Sequence, residues 1–512
     1  MWDDLYAAIE RFLNMTTMYR VVLYYLAFLL AAGFLLSMFG VLAFTPVALA
    51  VSTILLLFTC WTINTITAYI FGGPQNIESV FITAFILALI ITPPDASHYA
   101  TALPMLFWAG TIAMISKFVF SIGKKHLFNP AAFAVATTAI ILNFTASWWV
   151  GNPWMLPFVL VGVLILRKIH RWDLGIAFFS AAFLSIVASG ILQNASPLDM
   201  VPRILLETPI FFFTFVMITE PLTTPPTRPL RIAYGILVGF LFTPAVHIAS
   251  LYSTPELALL AGNLFSYIVS PKQKLILKLK ERIPVAGSVY DFVFESPEPL
   301  RFAPGQYMEW TLGHYHPDNR GIRRYFTIAS SPADREVRLG VKFYQSPSSF
   351  KKALGALYPG DEIIASHVAG DFTLPKNAGQ KLAFIAGGIG VTPFRSMIKH
   401  LADRNERRDI VMLYSNRSAA DIAYKDVFDQ AQEKLGIKTV YAVSATDPKS
   451  VPSWCRSGMI NAQMIAEEIP DYRDRTFYIS GPQVMVDAFR STLRAMGLKK
   501  RQIKTDFFPG LA

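Results

Sequence analysis

The stretch Leu382-Ala383-Phe384-Ile385-Ala386-Gly387-Gly388-Ile389-Gly390-Val391-Thr392-Pro393 decides how the second half of this chain folds. An unbroken apolar run before glycines reads as a strand buried on both faces, because a strand with one wet face would alternate. Beyond Pro393 the apolar residues recur at helical spacing to about His400. Strand, glycine turn and helix in this order gather free backbone N–H groups at a helix N-terminus, which suits a pyrophosphate. Two further strand-to-helix units follow. Residues 409–415 lead through Asn416-Arg417-Ser418 into a helix, and residues 475–480 lead through Gly481-Pro482 into a helix containing Met485. The three units predict an open parallel sheet with its ligands at the strand C-terminal ends.

Upstream, residues 274–374 alternate short apolar runs with the turns Ala303-Pro304-Gly305, Tyr358-Pro359-Gly360-Asp361 and Ala369-Gly370-Asp371. That spacing predicts a small antiparallel barrel. Within it, Arg324-Tyr325-Phe326-Thr327-Ile328-Ala329-Ser330 offers a cation, aromatic rings and a hydroxyl along one strand. Such a strand suits a cofactor with a phosphate, a flat ring and a polar ring nitrogen. It equally describes a half-buried strand with an exposed arginine.

With 53% hydrophobic and 16% charged residues, the 512-residue chain is too apolar for an ordinary soluble protein. Only eleven of the 46 Lys/Arg and ten of the 35 Asp/Glu lie in residues 1–270, so the net charge of +11 sits almost wholly in the second half. Beside a membrane, such a basic surface points to anionic lipid or a phosphorylated cofactor and not to nucleic acid. Cys60 and Cys455 are too few for an iron–sulfur cluster or a disulfide framework, and no metal site is expected. The first apolar run begins only near Val21, so no cleaved signal peptide is expected.

No charged residue stands between Arg20 and Glu78, enough length for two membrane-crossing helices. Hydropathy and breaker residues place ten spans, near 19–39, 46–70, 78–92, 100–119, 130–147, 153–168, 173–191, 205–219, 230–248 and 254–270. With the N-terminus inside, the inner segments carry Arg11, Arg20, Lys117, Lys124, Lys125, Arg167, Lys168, Arg171, Arg228 and Arg231, and the outer loops carry only Arg203. This asymmetry predicts a multi-pass plasma-membrane protein with both termini cytoplasmic. The expected division is a ten-helix membrane domain (1–270), a β-barrel domain (272–377) and an α/β nucleotide-binding domain (378–512).

Self-similarity adds a repeat. Ile91-Thr92-Pro93-Pro94 resembles Ile218-Thr219-Glu220-Pro221, and Asn129-Pro130 resembles Thr254-Pro255, at offsets of 127 and 125 residues. A shift of five spans would make this an inverted repeat, a class that binds ligands where broken helices meet.

Phe128-Asn129-Pro130-Ala131, the run Met217-Ile218-Thr219-Glu220-Pro221-Leu222-Thr223-Thr224-Pro225 and Thr254-Pro255-Glu256 resemble two related membrane subunits. These are the D subunit of Rnf electron-transport complexes and the B subunit of the sodium-pumping NADH:quinone reductase. The resemblance covers roughly residues 20–270. It implies ten helices that carry electrons through flavins, one of them FMN linked to a Thr or Ser in an Asp-x-x-Ser/Thr-Gly-Ala-Thr/Ser signature. The nearest match, Gly190-Ile191-Leu192-Gln193-Asn194-Ala195-Ser196, keeps only the Ala-Ser ending. Ser196 is therefore a candidate for covalent attachment that lacks the signature's aspartate and glycine. A non-covalent FMN or riboflavin is the alternative, with Asn129 and Thr224 as polar contacts or, equally, as helix caps.

Residues 272–512 resemble the ferredoxin:NADP reductase family along their whole length. Arg324-Tyr325-Phe326-Thr327 resembles its Arg-x-Tyr-Ser motif, which implies Arg324 on the FAD phosphates, Phe326 stacked on the flavin and Thr327 donating to the ring. Gly387, Gly388, Gly390 and Thr392 match its nicotinamide motif, and Ser480, Gly481 and Met485 match its Cys-Gly-Pro-x-x-Met motif with serine for cysteine. Ser349, in Ser346-Pro347-Ser348-Ser349, stands for the second phosphate ligand, and Phe507 or Phe508 for the aromatic that covers the flavin. Thr327, Ser480 and Phe508 are the expected catalytic groups. Ser415 and Arg417 stand where a 2′-phosphate would be read, which leans towards NADPH over NADH.

The function expected is electron transfer from cytoplasmic NAD(P)H through FAD to a membrane flavin, then to a quinone or an extracytoplasmic flavoprotein. Two rivals stay open. A haem-based transmembrane reductase needs paired axial histidines, and the first half offers only His98, His126, His170 and His247. The other is a channel or transporter fused to a regulatory reductase.

Overall fold

The computed structural model describes residues 8–10, 12–13, 16–71, 77–122, 125–248, 251–270, 274–315, 317–318, 321–444 and 451–508. The chain divides into two compact units at Lys272/Gln273.

The first unit is helical. Four of its described helices are long and apolar enough to cross a membrane: Met18–Met38, Pro46–Ile70, Ala96–Val119 and Trp172–Leu192. Their ends follow from local chemistry. Thr17 and Thr45 cap the first two, accepting the N–H of Arg20 at 3.4 Å and of Ala48 at 3.1 Å, and Pro46 occupies a first-turn site where no N–H is needed. An Arg20–Glu78 pair at 2.6 Å ties the first helix to Ile77–Ile90.

The other expected spans differ from uninterrupted crossings. Ile77–Ile90, Pro130–Leu142 and Pro255–Val269 are shorter apolar helices, and Pro197–Glu207 with Ile210–Met217 forms a pair bent by 57°. Arg228–Leu241 has 14 residues. Residues 153–169 are a chain of short pieces, Pro153–Met155, Leu156–Val159, Leu160–Gly162 and Val163–Ile169. Pro153, Pro157 and Pro209 stand at the starts of such pieces, where a proline can open a helix but cannot continue a preceding one, and Pro202 stands inside Pro197–Glu207.

The repeat seen in the sequence reappears in the elements. A two-residue hairpin pairs Ser121 with His126 and precedes helix Pro130–Leu142, capped by Asn129. A second pairs His247 with Tyr252 and precedes helix Pro255–Val269, capped by Thr254. Both helices begin with proline at the first position.

The second unit holds two six-stranded sheets. The first comprises β1 (Lys274–Ala286), β2 (Val289–Glu295), β3 (Tyr307–Thr311), β4 (Arg323–Thr327), β5 (Glu336–Lys342) and β6 (Glu362–Ala369). It is antiparallel in the order β4-β3-β6-β1-β2-β5. The Ala329 N–H reaches the Arg338 carbonyl at 2.9 Å, so the extension of β4 meets β5 and the sheet curls into a barrel. Phe292, Phe294, Trp310 and Phe350 fill its core.

The second sheet comprises β7 (Leu382–Gly387), β8 (Ile410–Asn416), β9 (Lys438–Val443), β10 (Cys455–Ser457), β11 (Thr476–Pro482) and β12 (Ile503–Phe508). Every pairing is parallel, in the order β10-β9-β8-β7-β11-β12. The chain builds outward on one side of β7 and then crosses to its other side at β11. That reversal puts a crevice at the C-terminal ends of β7 and β11. Every residue of β7 is buried, as its apolar run requires.

Candidate functional site

The glycine turn lies at this crevice, and its glycines are required by close approach. A Cβ on Gly390 would stand 2.5 Å from the Gly481 Cα, and one on Gly387 2.2 Å from the Met485 sulfur. Gly388 has φ +51°, the left-handed region glycine enters without strain. The Thr392 hydroxyl donates to the Ile389 carbonyl at 3.2 Å and closes the turn. The sequence thus brings Gly387, Gly390, Gly481 and Met485 together.

Ser480 pairs with Ala386 across the sheet, is fully buried, and its hydroxyl has no hydrogen-bond partner among the described residues. Ser415 pairs with Gly387 one residue before the end of β8, and Arg417 is exposed just past that strand. Phe507 and Phe508 have backbone pairings to Gly481 and Pro482, but their side chains lie outside the described residues.

In the barrel, β4 places Phe326 near the Phe350 ring, with centroids 5.9 Å apart. Thr327, at the end of β4, is 3% exposed and its hydroxyl also lacks a partner among the described residues. A buried hydroxyl without a hydrogen bond costs about 1–3 kcal/mol, so Thr327 and Ser480 each have a hydrogen bond left to offer.

Arg324 and Ser349 are arranged in a way the sequence did not reveal. The Arg324 Nη2 lies 3.1 Å from the Asp318 carboxylate, and the Ser349 N–H donates to the same carboxylate at 3.1 Å. The Ser349 hydroxyl accepts from the Asp318 N–H at 2.9 Å and lies 3.0 Å from the His314 Nε2. One carboxylate therefore engages both groups expected on the flavin phosphates. Asp318 comes from the loop between β3 and β4, where nothing in the sequence pattern marks it.

Arg395 and Ser396 are a second omission. They follow the turn in helix Thr392–Asp403, buried within its apolar stripe. Their side chains donate to the Ala329 and Ser330 carbonyls. Nearby, the Tyr424 hydroxyl donates to the Asp291 carboxylate. Burial and then the Asp291 charge push the Tyr424 phenol well above its usual range, so it remains a donor.

In the first unit, Asn129 is fully engaged. Its Nδ2 donates to Glu220 at 2.9 Å, its N–H to the Asn263 Oδ1 at 2.8 Å, and its Oδ1 caps helix Pro130–Leu142. Asn263 donates on to the Tyr234 hydroxyl at 3.2 Å, and Thr223 donates to Glu220 at 3.2 Å. The Thr224 hydroxyl accepts from Arg171. Ser196 is exposed at the start of helix Pro197–Glu207 and its hydroxyl does not cap it.

Comparison with known proteins bears on the second unit. Residues 384–491 match the model of the oxidoreductase NAD-binding domain. The stachydrine N-demethylase reductase subunit of Rhizobium meliloti is 30% identical over 43% of this chain and 63% of its own length. The F subunit of the Na(+)-translocating NADH-quinone reductase of Psychrobacter cryohalolentis is 27% identical over 43% of this chain and 52% of its own. The C-terminal half is a ferredoxin–NADP reductase-like domain. It contains an oxidoreductase NAD-binding domain. Among solved structures, the FAD/NAD-binding domain of the nitric oxide dioxygenase of Vibrio cholerae is 22% identical with a TM-score of 0.40, over 46% of this chain and 98% of that one. The chain spans less than two thirds of the length of the first two of these relatives.

Proposed function

We propose that the chain is a membrane flavoprotein in which the reductase-like domain takes electrons from cytoplasmic NAD(P)H and delivers them to a second flavin in the helical half. From there they pass to a quinone or an extracytoplasmic flavoprotein. The observation that carries this reading is the pair of buried hydroxyls, Thr327 Oγ1 and Ser480 Oγ, that find no partner among the described residues.

Each residue has a physical task in this reading. Phe326 presents a ring face for stacking, and Thr327 supplies one hydrogen bond to a polar ring atom. Arg324 and Ser349 hold the phosphates in place of the Asp318 carboxylate. Gly387, Gly390 and Gly481 let the turn, the end of β11 and Met485 pack closely together, and the nicotinamide is proposed to lie in the crevice they form beside Ser480. Ser415 and Arg417 read the adenosine end, and the arginine favours NADPH. Bound FAD supplies the conversion of a two-electron input into single-electron output. The protein's contribution is to hold the reacting groups within about 3–3.5 Å and exclude water.

For the helical half, the reading includes ten crossings related by an inverted repeat, with both termini cytoplasmic as the loop charges indicate. A hydrocarbon core of roughly 30 Å is too thick for one efficient electron step, so a flavin within it is required if electrons cross. The helical network already engages Asn129 and Thr224, so this flavin is proposed to bind without them. Ser196 is the proposed attachment point if it is covalent.

Acid extraction and mass spectrometry of the intact protein test the proposal by counting flavins. FAD plus a second flavin is expected. FAD alone would remove electron transfer across the membrane by this chain, and no FAD would overturn the roles given to Thr327 and Arg324.

A further inference from the structure

Helix Thr392–Asp403 starts at the glycine turn, and its first two turns reach back to the flavin strand. The Arg395 Nη1 donates to the Ala329 carbonyl, and the Ser396 Oγ donates to the Ser330 carbonyl at 2.7 Å. Ala329 and Ser330 follow Thr327 directly along the chain after Ile328. The same two residues are held from the barrel side, because the Ala329 N–H donates to the Arg338 carbonyl at 2.9 Å and the Arg338 N–H to the Ser330 Oγ at 3.2 Å. The dipeptide is therefore fixed between barrel and helix.

A second contact lies beside the first. The Tyr424 hydroxyl donates to Asp291 on β2, whose other oxygen lies 3.6 Å from Arg338. The Arg395 guanidinium stands 5.1 Å from the centre of the Tyr424 ring. At Gly340 on β5 a Cβ would meet the Tyr424 hydroxyl at 2.3 Å and the Thr392 methyl at 2.9 Å, so only glycine permits this approach.

Adhesion alone does not account for this chemistry. Arg395 is 5% exposed and its Nε has no partner among the described residues, while Ser396 is fully buried. Burying an incompletely satisfied guanidinium is costly, and an apolar pair of similar volume would hold two surfaces together at least as well. Hydrogen bonds to consecutive carbonyls do what apolar contact cannot: they fix the register of one backbone against another to within a fraction of an ångström.

We propose that Arg395, Ser396 and Tyr424 are positioning residues that set the flavin strand against the nicotinamide turn, fixing where Thr327 stands relative to Gly390 and Ser480. None of the three is assigned a contact with either cofactor. The inference rests on the reductase reading above, since it concerns the alignment of that domain's two seats. A misplacement of about 1 Å at such a site costs on the order of 100-fold in rate.

The test uses the full chain in detergent with its FAD bound. Ser396→Ala removes one hydroxyl and Tyr424→Phe removes another, each leaving volume nearly unchanged. Flavin reduction by NADPH is followed by rapid mixing, together with FAD content and the long-wavelength charge-transfer absorbance of the flavin–nicotinamide pair, which reports their stacking. Both variants are expected to keep FAD and the KM for NADPH, to reduce flavin about 10-fold or more slowly, and to show a weakened charge-transfer band. Ser396→Thr, which restores a hydroxyl, is expected to recover part of the band.

Retained FAD with an unchanged rate and band in both variants would overturn the proposal. So would loss of FAD in Ser396→Ala together with wild-type behaviour of Tyr424→Phe, since that pattern marks a fold contact. A wild-type protein whose FAD NADPH does not reduce would instead refute the underlying reductase reading.

Discussion

Two groups of buried polar residues, one in each half of the chain, differ in how they are satisfied. In the helical half, Asn129, Glu220, Thr223, Asn263 and Tyr234 satisfy one another in a connected network, and Thr224 is held by Arg171. At the strand ends of the reductase-like half, Thr327 and Ser480 are buried with nothing to bond among the described residues. A satisfied network needs no further partner, whereas a buried hydroxyl without one has a hydrogen bond left to offer. On the proposed reading, the difference separates a structural network from two hydroxyls that a bound cofactor would engage. It also identifies Thr59, Thr62 and Thr111 as the buried unpartnered threonines among the described residues of the helical half, away from the positions singled out in the sequence.

The largest effect expected from this contrast is at Gly390. Gly390→Val would drive a side chain into the Gly481 backbone, and flavin reduction by NADPH is expected to slow by about 100-fold or more with FAD retained. Rapid-mixing absorbance reads it directly, and an unaffected rate would move the nicotinamide elsewhere. Thr327→Ala removes a single hydrogen bond, worth about 0.5–1.5 kcal/mol, so a loss of up to about 10-fold in the same rate is expected. Thr327→Ser should restore most of it.

In the helical half the contrast predicts a stability effect. Asn129→Ala is expected to cost about 1–2 kcal/mol in a thermal melt in detergent while leaving FAD content and NADPH reduction intact. Loss of a second flavin in that variant would place a ligand in the network and weaken the distinction drawn between the halves.

The smallest effect is at Asp471, far from the crevice chemistry. Hydrogen bonds from Arg475, followed by those from Lys381, pull its carboxyl down to about 2 from the usual 3.8. Because the folded value is the lower one, the stabilisation is full above the unfolded value and fades as pH falls through the folded one. Asp471→Asn should therefore lower stability by less than about 1 kcal/mol at neutral pH, and the difference should shrink between about pH 4 and pH 2.

How much of this was legible follows from which signals are local. Strand β7 and its turn could be read because five apolar residues and four glycines or small polar residues encode burial and close approach at the same place. The barrel could be read from its turns. The helical half was legible in composition and in its repeat, since Asn129-Pro130 and Thr254-Pro255 start equivalent helices after equivalent hairpins. Helix continuity was not. Hydropathy counts apolar residues and is blind to the hydrogen bonds that Pro153, Pro157 and Pro209 interrupt. Asp318 was invisible because a loop aspartate meets Arg324 and Ser349 only through the path of the chain. Arg395 and Ser396 were hidden inside a helical pattern whose buried face admits polar residues only where a partner strand supplies carbonyls.

Anaerobic rapid mixing of the intact, FAD-containing protein with NADPH tests the central claim most directly. The account predicts that the oxidised-flavin absorbance of FAD is lost first and that of a second flavin follows. FAD that stays oxidised in the presence of both NADPH and NADH would contradict it.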